Sequence, residues 1–185
     1  MQMFTFLGGA IGRWRILRTE AVVGEPLPRA QRVEVVNSLV AATPAGAVWL
    51  LRGVTSNERY VARQERELLV AKQSALGRSH ATHAALIPIR KSNAWWELTQ
   101  DERRELFEER SGHIKIGLRF LPAVARRLHH SRDLGEPFDF LTWFELAPEH
   151  SAAFDELVLC LRASEEWKYV DREVDIRLVR DAGTA

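Results

Sequence analysis

The segment from Glu108 to His130 concentrates side chains that can do chemistry, with three of the chain's six histidines. His113 falls seven residues after Leu106, so a helix here would place both side chains on its apolar face. Gly112 and Gly117 flank His113, and small residues there would let a flat ligand approach the backbone. No second histidine lies three or four residues away, which excludes a zinc-type histidine pair. A lone histidine on such a face suits either an axial ligand of haem iron or a hydrogen-bonded core residue.

Arg126 lies in a segment, Val124–Arg132, whose pattern predicts a β-strand. Val124, Arg126 and Leu128 would share one face of this strand, and Arg127 would point to the other. If the Val124 face is interior, a guanidinium enters an apolar space, which is costly unless an anion or a carboxylate meets it. If the opposite face is buried, Arg126 lies in solvent. The two histidines after Leu128, flanked by charges, are expected at the surface or in hydrogen bonds.

The composition of the chain excludes several classes of function and of site. The chain has 185 residues, 46% of them hydrophobic and 28% charged, which fits a soluble globular protein with one core or two small halves. A net charge of +1 removes the electrostatic case for binding nucleic acid or an acidic membrane. Cys160 is the only cysteine, which excludes an intramolecular disulfide and a CxxC metal site. With no signal-peptide pattern and no apolar run of about 18 residues, we expect a reduced, cytoplasmic compartment.

The elements that must position these residues are clearest in the second half. Thr99 and Glu102 form a capping box that predicts a helix continuing to Pro122. Pro148 suits the first turn of a second helix. The predicted strands around these helices are Ala84–Lys91, Val124–Arg132, Phe138–Leu146 and Val174–Leu178. The order strand, helix, strand, strand, helix, strand predicts a ferredoxin-like α+β unit, with helices on one face of an antiparallel sheet.

The first half gives weaker signals. Ala47–Thr55 predicts a strand, and Thr55 with Glu58 could cap a helix that runs through Leu69. The residues before Trp49 indicate one further strand. We therefore expect a shortened N-terminal ferredoxin-like half over residues 1–80 and a C-terminal half over residues 81–185, joined in one compact unit.

Several separated motifs of the chain closely resemble the chlorite dismutase family. They are ALIPIRKSNAWWEL, SGHIKIG, ARRLHHSRDLGEPFDFLTWFEL and LRASEEWKYV, in that order and with suitable spacing. The resemblance extends from Trp49 to Arg180, and the short chain is similar to the compact, dimeric branch of the family. It implies a dimeric α+β barrel fold, haem b bound in the C-terminal half, and a homodimer.

The resemblance also implies roles for individual residues. His113 would be the proximal iron ligand, and Arg126, thirteen residues later, the distal arginine. Glu166 would accept the imidazole N–H, with its neighbour Glu165 as the alternative assignment. The other positions implied at the cofactor are Lys91, Trp95, Trp96, Asn57 and Gln73. Trp95 and Trp96 would form a flat wall, or else be ordinary core tryptophans.

The family reaction converts chlorite into chloride and dioxygen, with the O–O bond forming at a high-valent oxo–iron centre. A permanently charged, planar guanidinium at Arg126 suits the holding of a small oxyanion through two hydrogen bonds. The rival activity on this fold is coproheme decarboxylation, whose tyrosine position is Ile87 here. The residues are also compatible with a peroxidase, with a non-catalytic haem-binding or haem-sensing protein, and with a protein that has no cofactor.

Overall fold

A computed structural model describes residues 2–55 and 60–181 of the chain. The strands are β1 Gln2–Gly9, β2 Trp14–Val23, β3 Arg32–Val36, β4 Ala47–Thr55, β5 His83–Lys91, β6 Val124–His130, β7 Phe140–Leu146 and β8 Val170–Arg180. The helices are α1 Arg63–Lys72, α2 Asn93–Glu97, α3 Gln100–Arg104, α4 His113–Arg119 and α5 Ser151–Arg162. A π-helical turn, Glu105–Arg110, follows α3, and short 3₁₀ turns cover Arg132–Leu134, Pro148–His150 and Glu165–Tyr169.

All eight strands pair antiparallel and close into a barrel in the order β1-β3-β2-β8-β5-β7-β6-β4, with β4 returning to β1. The strands therefore fall into two quartets of the same order, β4-β1-β3-β2 and β8-β5-β7-β6. Among the described residues, β4 pairs with β6 at Val54 and His130. The architecture is α+β, built on one antiparallel sheet.

The two faces of the sheet carry separate apolar clusters. Side chains that point inward fill the barrel, among them Phe6, Leu86 and Trp143. Ile87, the residue after Leu86, points to the outer face of β5–β8. There it belongs to a second cluster, which includes Phe154 of α5. Each such buried side chain contributes about 1.5–3 kcal/mol. The helices therefore cover one side of the second quartet, and a space between them and the sheet can form a site.

In the second half, the predicted order of strands and helices is confirmed, with boundary differences of a few residues. The capping box at Thr99 is present, with Thr99 N–H donating to Glu102 Oε2 at 2.7 Å. The prediction of one continuous helix to Pro122 was wrong. Gly112 adopts a left-handed conformation with φ 62°, so α4 starts anew at His113. His113 and Leu106 thus lie on different helical segments. Their separation of seven residues therefore does not place them on the same helix face.

In the first half, the strand Ala47–Thr55 is confirmed. The prediction of one further strand was wrong, because three strands precede it. Strand β2 carries a run of exposed residues from Leu17 to Ala21, so it lacks the alternation that reveals a strand. The helix starts at Arg63 after Ala62, whose N–H donates to Glu65, rather than at Thr55. Glu58, the other half of the predicted cap, lies outside the described residues.

Candidate functional site

A cavity of about 630 Å³ lies between the outer face of the second quartet and the helices α1, α4 and α5. Its sheet wall is largely apolar, with Ile87, Ile89, Thr142 and Phe144 side by side on β5 and β7. Ile114 contributes to the helical wall. The cavity lies within the size range of small-molecule and cofactor pockets, which are mostly apolar with a few placed polar groups.

His113 is held at the cavity by the start of α4. Gly112 turns the chain in the left-handed region, where glycine alone carries no steric penalty. The carboxylate of Glu108 then accepts from the backbone N–H of Ile114 at 2.5 Å and of Lys115 at 3.2 Å, so it caps the new helix. Phe107 stacks on the imidazole with ring centroids 4.3 Å apart. The ring orientation is therefore fixed by the helix start and by a stacking partner.

A buried network lies behind the imidazole. Nδ1 of His113 is 2.8 Å from Oε2 of Glu166, and Nζ of Lys91 donates to Oε1 of the same carboxylate at 2.7 Å. Lys91 and Glu166 are 3% and 5% exposed at their side chains. Burial opposes ionisation of Glu166, but the charges and hydrogen bonds of His113 and Lys91 outweigh it and lower its pKa to about 2. The hydroxyl of Ser111 accepts from the backbone N–H of Glu166 at 2.9 Å, which fixes the carboxylate segment.

This network sets the tautomer of His113. An ionised Glu166 can only accept, so Nδ1 of the imidazole carries the proton and donates it. In the neutral ring the lone pair is then on Nε2, and His113 lines the cavity. Across the described residues, no group of three or more His, Cys, Asp or Glu side chains is arranged to hold a metal ion. His113 is thus a single nitrogen donor with a carboxylate behind it, as in a haem pocket.

Glu165 faces away from this network. Its carboxylate pairs with Arg110 at 2.5 Å, and both side chains are substantially exposed. The two glutamates begin the 3₁₀ turn Glu165–Tyr169 behind Ser164, and Glu166 is the residue that meets His113.

Two tryptophans enclose the ammonium group of Lys91. Its Nζ lies 4.6 Å from the ring centroid of Trp95 and 5.5 Å from that of Trp167. Trp167 is anchored in turn, since its indole N–H donates to the fully buried Glu173 at 2.9 Å. Trp95 is 1% exposed and lines the cavity, and its indole N–H has no hydrogen-bond partner among the described residues. A polar group on a bound molecule would supply that acceptor.

Arg126 lies on the outer face of β6 and lines the same cavity as His113. Its guanidinium packs against α4 at Gly117, where a Cβ atom would come within 2.7 Å of Nη1. The glycine is therefore needed to make room for this side chain. Gln73, which ends α1, donates through Nε2 to the backbone carbonyl of Arg126 at 2.6 Å. Gln73 also lines the cavity, so it and Arg126 are neighbours there.

The sequence model described as "Chlorite dismutase" matches residues 30–181, well over half of the chain. The chain belongs to the chlorite dismutase family. A curated chlorite dismutase from Ideonella dechloratans is 33% identical over 126 residues, which are 64% of this chain and 40% of that protein. The chain thus spans less than half the length of this family member.

Solved structures of the chlorite dismutase family share the fold. The crystal structure of dimeric chlorite dismutases from Nitrobacter winogradskyi is 56% identical, covers 96% of this chain and 99% of its own, and has a TM-score of 0.89. The chlorite dismutase from Candidatus Nitrospira defluvii in complex with imidazole is 19% identical, covers 96% of this chain and 90% of its own, and has a TM-score of 0.69. The second likeness concerns the fold alone.

Of the residues that the family resemblance implied at the cofactor, one does not line this cavity and one cannot be placed. Trp96 lies outside the cavity lining, stacked at 6.0 Å on Phe140, which does line it. It also contacts the guanidinium groups of Arg132 and Arg103, 4.0 Å and 5.2 Å from its ring centroid, and its indole N–H donates to Asp139. Trp96 therefore acts on the cavity through neighbours that line it, such as Phe140. Asn57 lies outside the described residues.

Other residues around this cavity were missed in the sequence. Phe107 and Ser111 carried no signal because a continuous helix would have pointed them elsewhere. The serine–glycine step before His113 is a helix-ending signal that could have revealed the break. His129 and His130, expected at the surface or in hydrogen bonds, are buried, and Nδ1 of His129 is 2.9 Å from the carbonyl of Leu141.

Proposed function

We propose that this protein is a haem b enzyme that converts chlorite into chloride and dioxygen. Membership of the chlorite dismutase family and the similarity to the Nitrobacter winogradskyi enzyme support this reaction. The observation that carries the proposal is the shared cavity of His113 and Arg126. It combines a nitrogen donor backed by a buried carboxylate with a guanidinium suited to an oxyanion.

The residues present fit haem. Nε2 of His113 would hold the iron, and the apolar wall of Ile87, Ile89 and Phe144 suits a porphyrin face. The unpartnered indole N–H of Trp95 suits a polar group at the porphyrin edge. Bound haem would supply the redox chemistry of iron that transfers oxygen atoms from chlorite. Glu166 would keep the proton on Nδ1 and make the imidazole a stronger donor.

Arg126 has the anion-holding role in this proposal. Its guanidinium is permanently charged and can form two parallel hydrogen bonds to an oxyanion. Hydrogen bonds to charged groups contribute roughly 1.5–3 kcal/mol each, enough to orient chlorite and to retain its chlorine-containing fragment until dioxygen forms. The atoms of chlorite, one chlorine and two oxygens, are all recovered in chloride and dioxygen, so no base or co-substrate is required.

Coproheme decarboxylation is the alternative within the same superfamily. The position of its radical-forming tyrosine is Ile87, which lines the cavity and has no oxidisable ring. A haem-binding protein without turnover is the second alternative, and the cavity geometry alone is compatible with it. The presence of Arg126 favours the chlorite reaction over both.

The assembly we propose is a homodimer, supported by the dimeric description of the Nitrobacter winogradskyi structure. We also propose that the two strand quartets are ferredoxin-like halves of a dimeric α+β barrel, supported by their identical strand order. No helix among residues 2–55 and 60–181 is long and apolar enough to cross a membrane. The cytoplasmic compartment stays a prediction from sequence.

The deciding experiment is oxygen evolution in a Clark electrode after chlorite is added to haem-loaded protein. Arg126→Ala should weaken or shorten the release of oxygen, and His113→Ala should abolish haem binding. Arg119→Ala removes an exposed arginine of α4 that pairs with Glu156, and it should behave like the unsubstituted protein. Haem uptake without oxygen release would overturn the proposal and direct the next assay to coproheme decarboxylation.

A further inference from the structure

A network of buried charged side chains lies between α5 and β8, beside the cavity. Residues along β8 alternate between the two faces of the sheet, so Val174 and Ile176 fill the barrel, while Glu173 and Asp175 point toward α5. Both carboxylates are completely buried. Arg162, the last residue of α5, donates to Glu173 at 2.5 Å and to Asp175 at 3.0 Å. The network therefore ties the end of α5 to β8.

Glu173 is the carboxylate of this network that reaches the cavity. Asp175 has arginines on both sides, since Arg177 also donates to it at 2.5 Å. In Glu173, one oxygen meets Arg162 and the other accepts from the indole N–H of Trp167 at 2.9 Å. Glu173 and Trp167 both line the cavity. Buried ion pairs often stabilise a fold no more than apolar residues of similar volume, so the contact with Trp167 calls for a role of its own.

The ring of Trp167 faces the ammonium group of Lys91. Nζ of Lys91 lies 5.5 Å from the ring centroid of Trp167 and 4.6 Å from that of Trp95. The same Nζ donates to the backbone carbonyl of Glu166 at 3.3 Å and to its carboxylate at 2.7 Å. A buried cation is attracted to an aromatic ring when it lies over the ring face, so the orientation of Trp167 matters to Lys91.

Lys91 and His113 share the carboxylate of Glu166. The lysine meets Oε1 and the imidazole meets Oε2, at 2.7 Å and 2.8 Å. A lysine that stays on Oε1 draws negative charge toward itself, whereas a lysine that moves away leaves the charge to the imidazole. The position of the ammonium group therefore determines how strongly Glu166 acts on His113.

We propose that Glu173 is a positioning residue for this cavity. By fixing the indole of Trp167, it keeps the ammonium group of Lys91 on Glu166. It thereby sets the share of the carboxylate charge that reaches His113. The inference rests on the proposed function only for its effect on bound haem, since the positioning of Lys91 is a property of the chain itself. The buried charges between α5 and β8 then act on the cavity through the hydrogen bond from Trp167 to Glu173.

The test measures how well the buried amine of Lys91 is protected in the whole chain, with and without added haem. Brief treatment with an acetylating reagent is followed by mass spectrometry of the digested protein, and the exposed Lys168 is the internal reference. Glu173→Gln should raise the acetylation rate of Lys91 relative to Lys168 about tenfold, because the charge-assisted hydrogen bond that holds the indole is lost. Asp155→Asn breaks a more exposed pair of the same network, with Arg177, and should leave the ratio unchanged.

A double-mutant cycle separates positioning from a general loosening of the fold. Trp167→Phe keeps an aromatic ring but removes the N–H, and it should raise the acetylation of Lys91 to a similar extent. In the Trp167→Phe background, Glu173→Gln should add no further increase, because its effect passes through the indole. An equal increase in both backgrounds, or an unchanged acetylation rate of Lys91 in Glu173→Gln, would overturn the proposal.

The effect on the cofactor is measured by resonance Raman spectroscopy of the reduced, haem-loaded protein. Lys91→Met, which leaves the carboxylate to His113, should raise the iron–histidine stretching frequency, and Glu173→Gln should shift it in the same direction by a smaller amount. An unchanged or lowered frequency in Glu173→Gln would overturn the link from Glu173 to His113. A chain that takes up no haem would refute the proposed function, whereas the acetylation of Lys91 would still decide whether Glu173 positions the lysine.

Discussion

Replacing Glu166 with glutamine should strongly destabilise the protein, because the change leaves the charge of Lys91 buried without its counter-ion. Both side chains are at most 5% exposed, and Nζ donates to the carboxylate at 2.7 Å. Removing one partner of a buried ion pair costs about 3–5 kcal/mol. Glu166→Gln should therefore lower the free energy of unfolding by about that amount.

The neighbouring glutamate provides a matched control. Glu165→Gln makes the same chemical change one residue away, at a partly exposed pair with Arg110. Exposed ion pairs contribute about 0–1 kcal/mol, so this variant should stay within about 1 kcal/mol of the unsubstituted protein. Urea unfolding followed by tryptophan fluorescence, without added haem, gives both values.

A double-mutant cycle separates the unpaired charge from lost packing. Lys91→Met removes the cation while keeping most of its volume between Trp95 and Trp167. Glu166→Gln with Lys91→Met should be more stable than Glu166→Gln alone, with a coupling energy of at least about 2 kcal/mol. Additive losses, or a Glu166→Gln variant as stable as Glu165→Gln, would refute the buried-pair reasoning.

The same pair predicts a pH dependence. The charges around Glu166 lower its pKa from the ordinary 4.5 to about 2, so the carboxylate is ionised in the folded protein well below neutral pH. A lowered carboxyl pKa stabilises the fold above the unfolded-state pKa, and this stability is lost as the pH falls toward the folded-state pKa. The difference in the free energy of unfolding between the unsubstituted protein and Glu166→Gln should be largest above about pH 5. It should decrease from pH 4.5 toward pH 2.

Three further outcomes are expected. His129 has an ordinary pKa of 6.5, which burial lowers to about 4. The free energy of unfolding should therefore fall by about 3 kcal/mol from pH 7 to pH 4. His129→Gln should reduce this pH dependence in urea unfolding. Gly117→Ala should displace Arg126 and reduce oxygen evolution, while the free energy of unfolding stays equal or rises by up to about 1 kcal/mol. Gly112→Ala should cost about 1–2 kcal/mol in urea unfolding, because alanine is strained at a positive φ. A flat pH profile, an unchanged oxygen rate or an unchanged unfolding midpoint, respectively, would contradict these reasons.

The predictable part of the fold was the part with regular local patterns. Ala47–Thr55 and the strands of the second half show apolar runs or alternation, and the capping box marked Thr99. Strand β2 could not be recognised, because exposed residues from Leu17 to Ala21 are paired by neighbours distant in the chain. Local patterns do not contain that long-range pairing.

The candidate site was predictable where residue type mattered and unpredictable where conformation mattered. His113, Glu166, Lys91 and Arg126, which were selected from the sequence, all line one cavity, and their roles stay predictions. The break at Gly112 was not foreseen, since an interior glycine is compatible with a helix at a modest cost. That break, rather than helical periodicity, determines where the imidazole points.

Successive side chains along β5 and β7 point to opposite faces of the sheet. The barrel core and the cavity wall therefore depend on different residues of the same strands. Leu86 and Trp143 fill the barrel, while their immediate neighbours Ile87 and Thr142 form the cavity wall. A substitution on the outward-pointing set therefore alters the pocket, and a substitution on the inward-pointing set alters the barrel. The chain can thus acquire a new ligand preference on one face without rebuilding the core that keeps it folded.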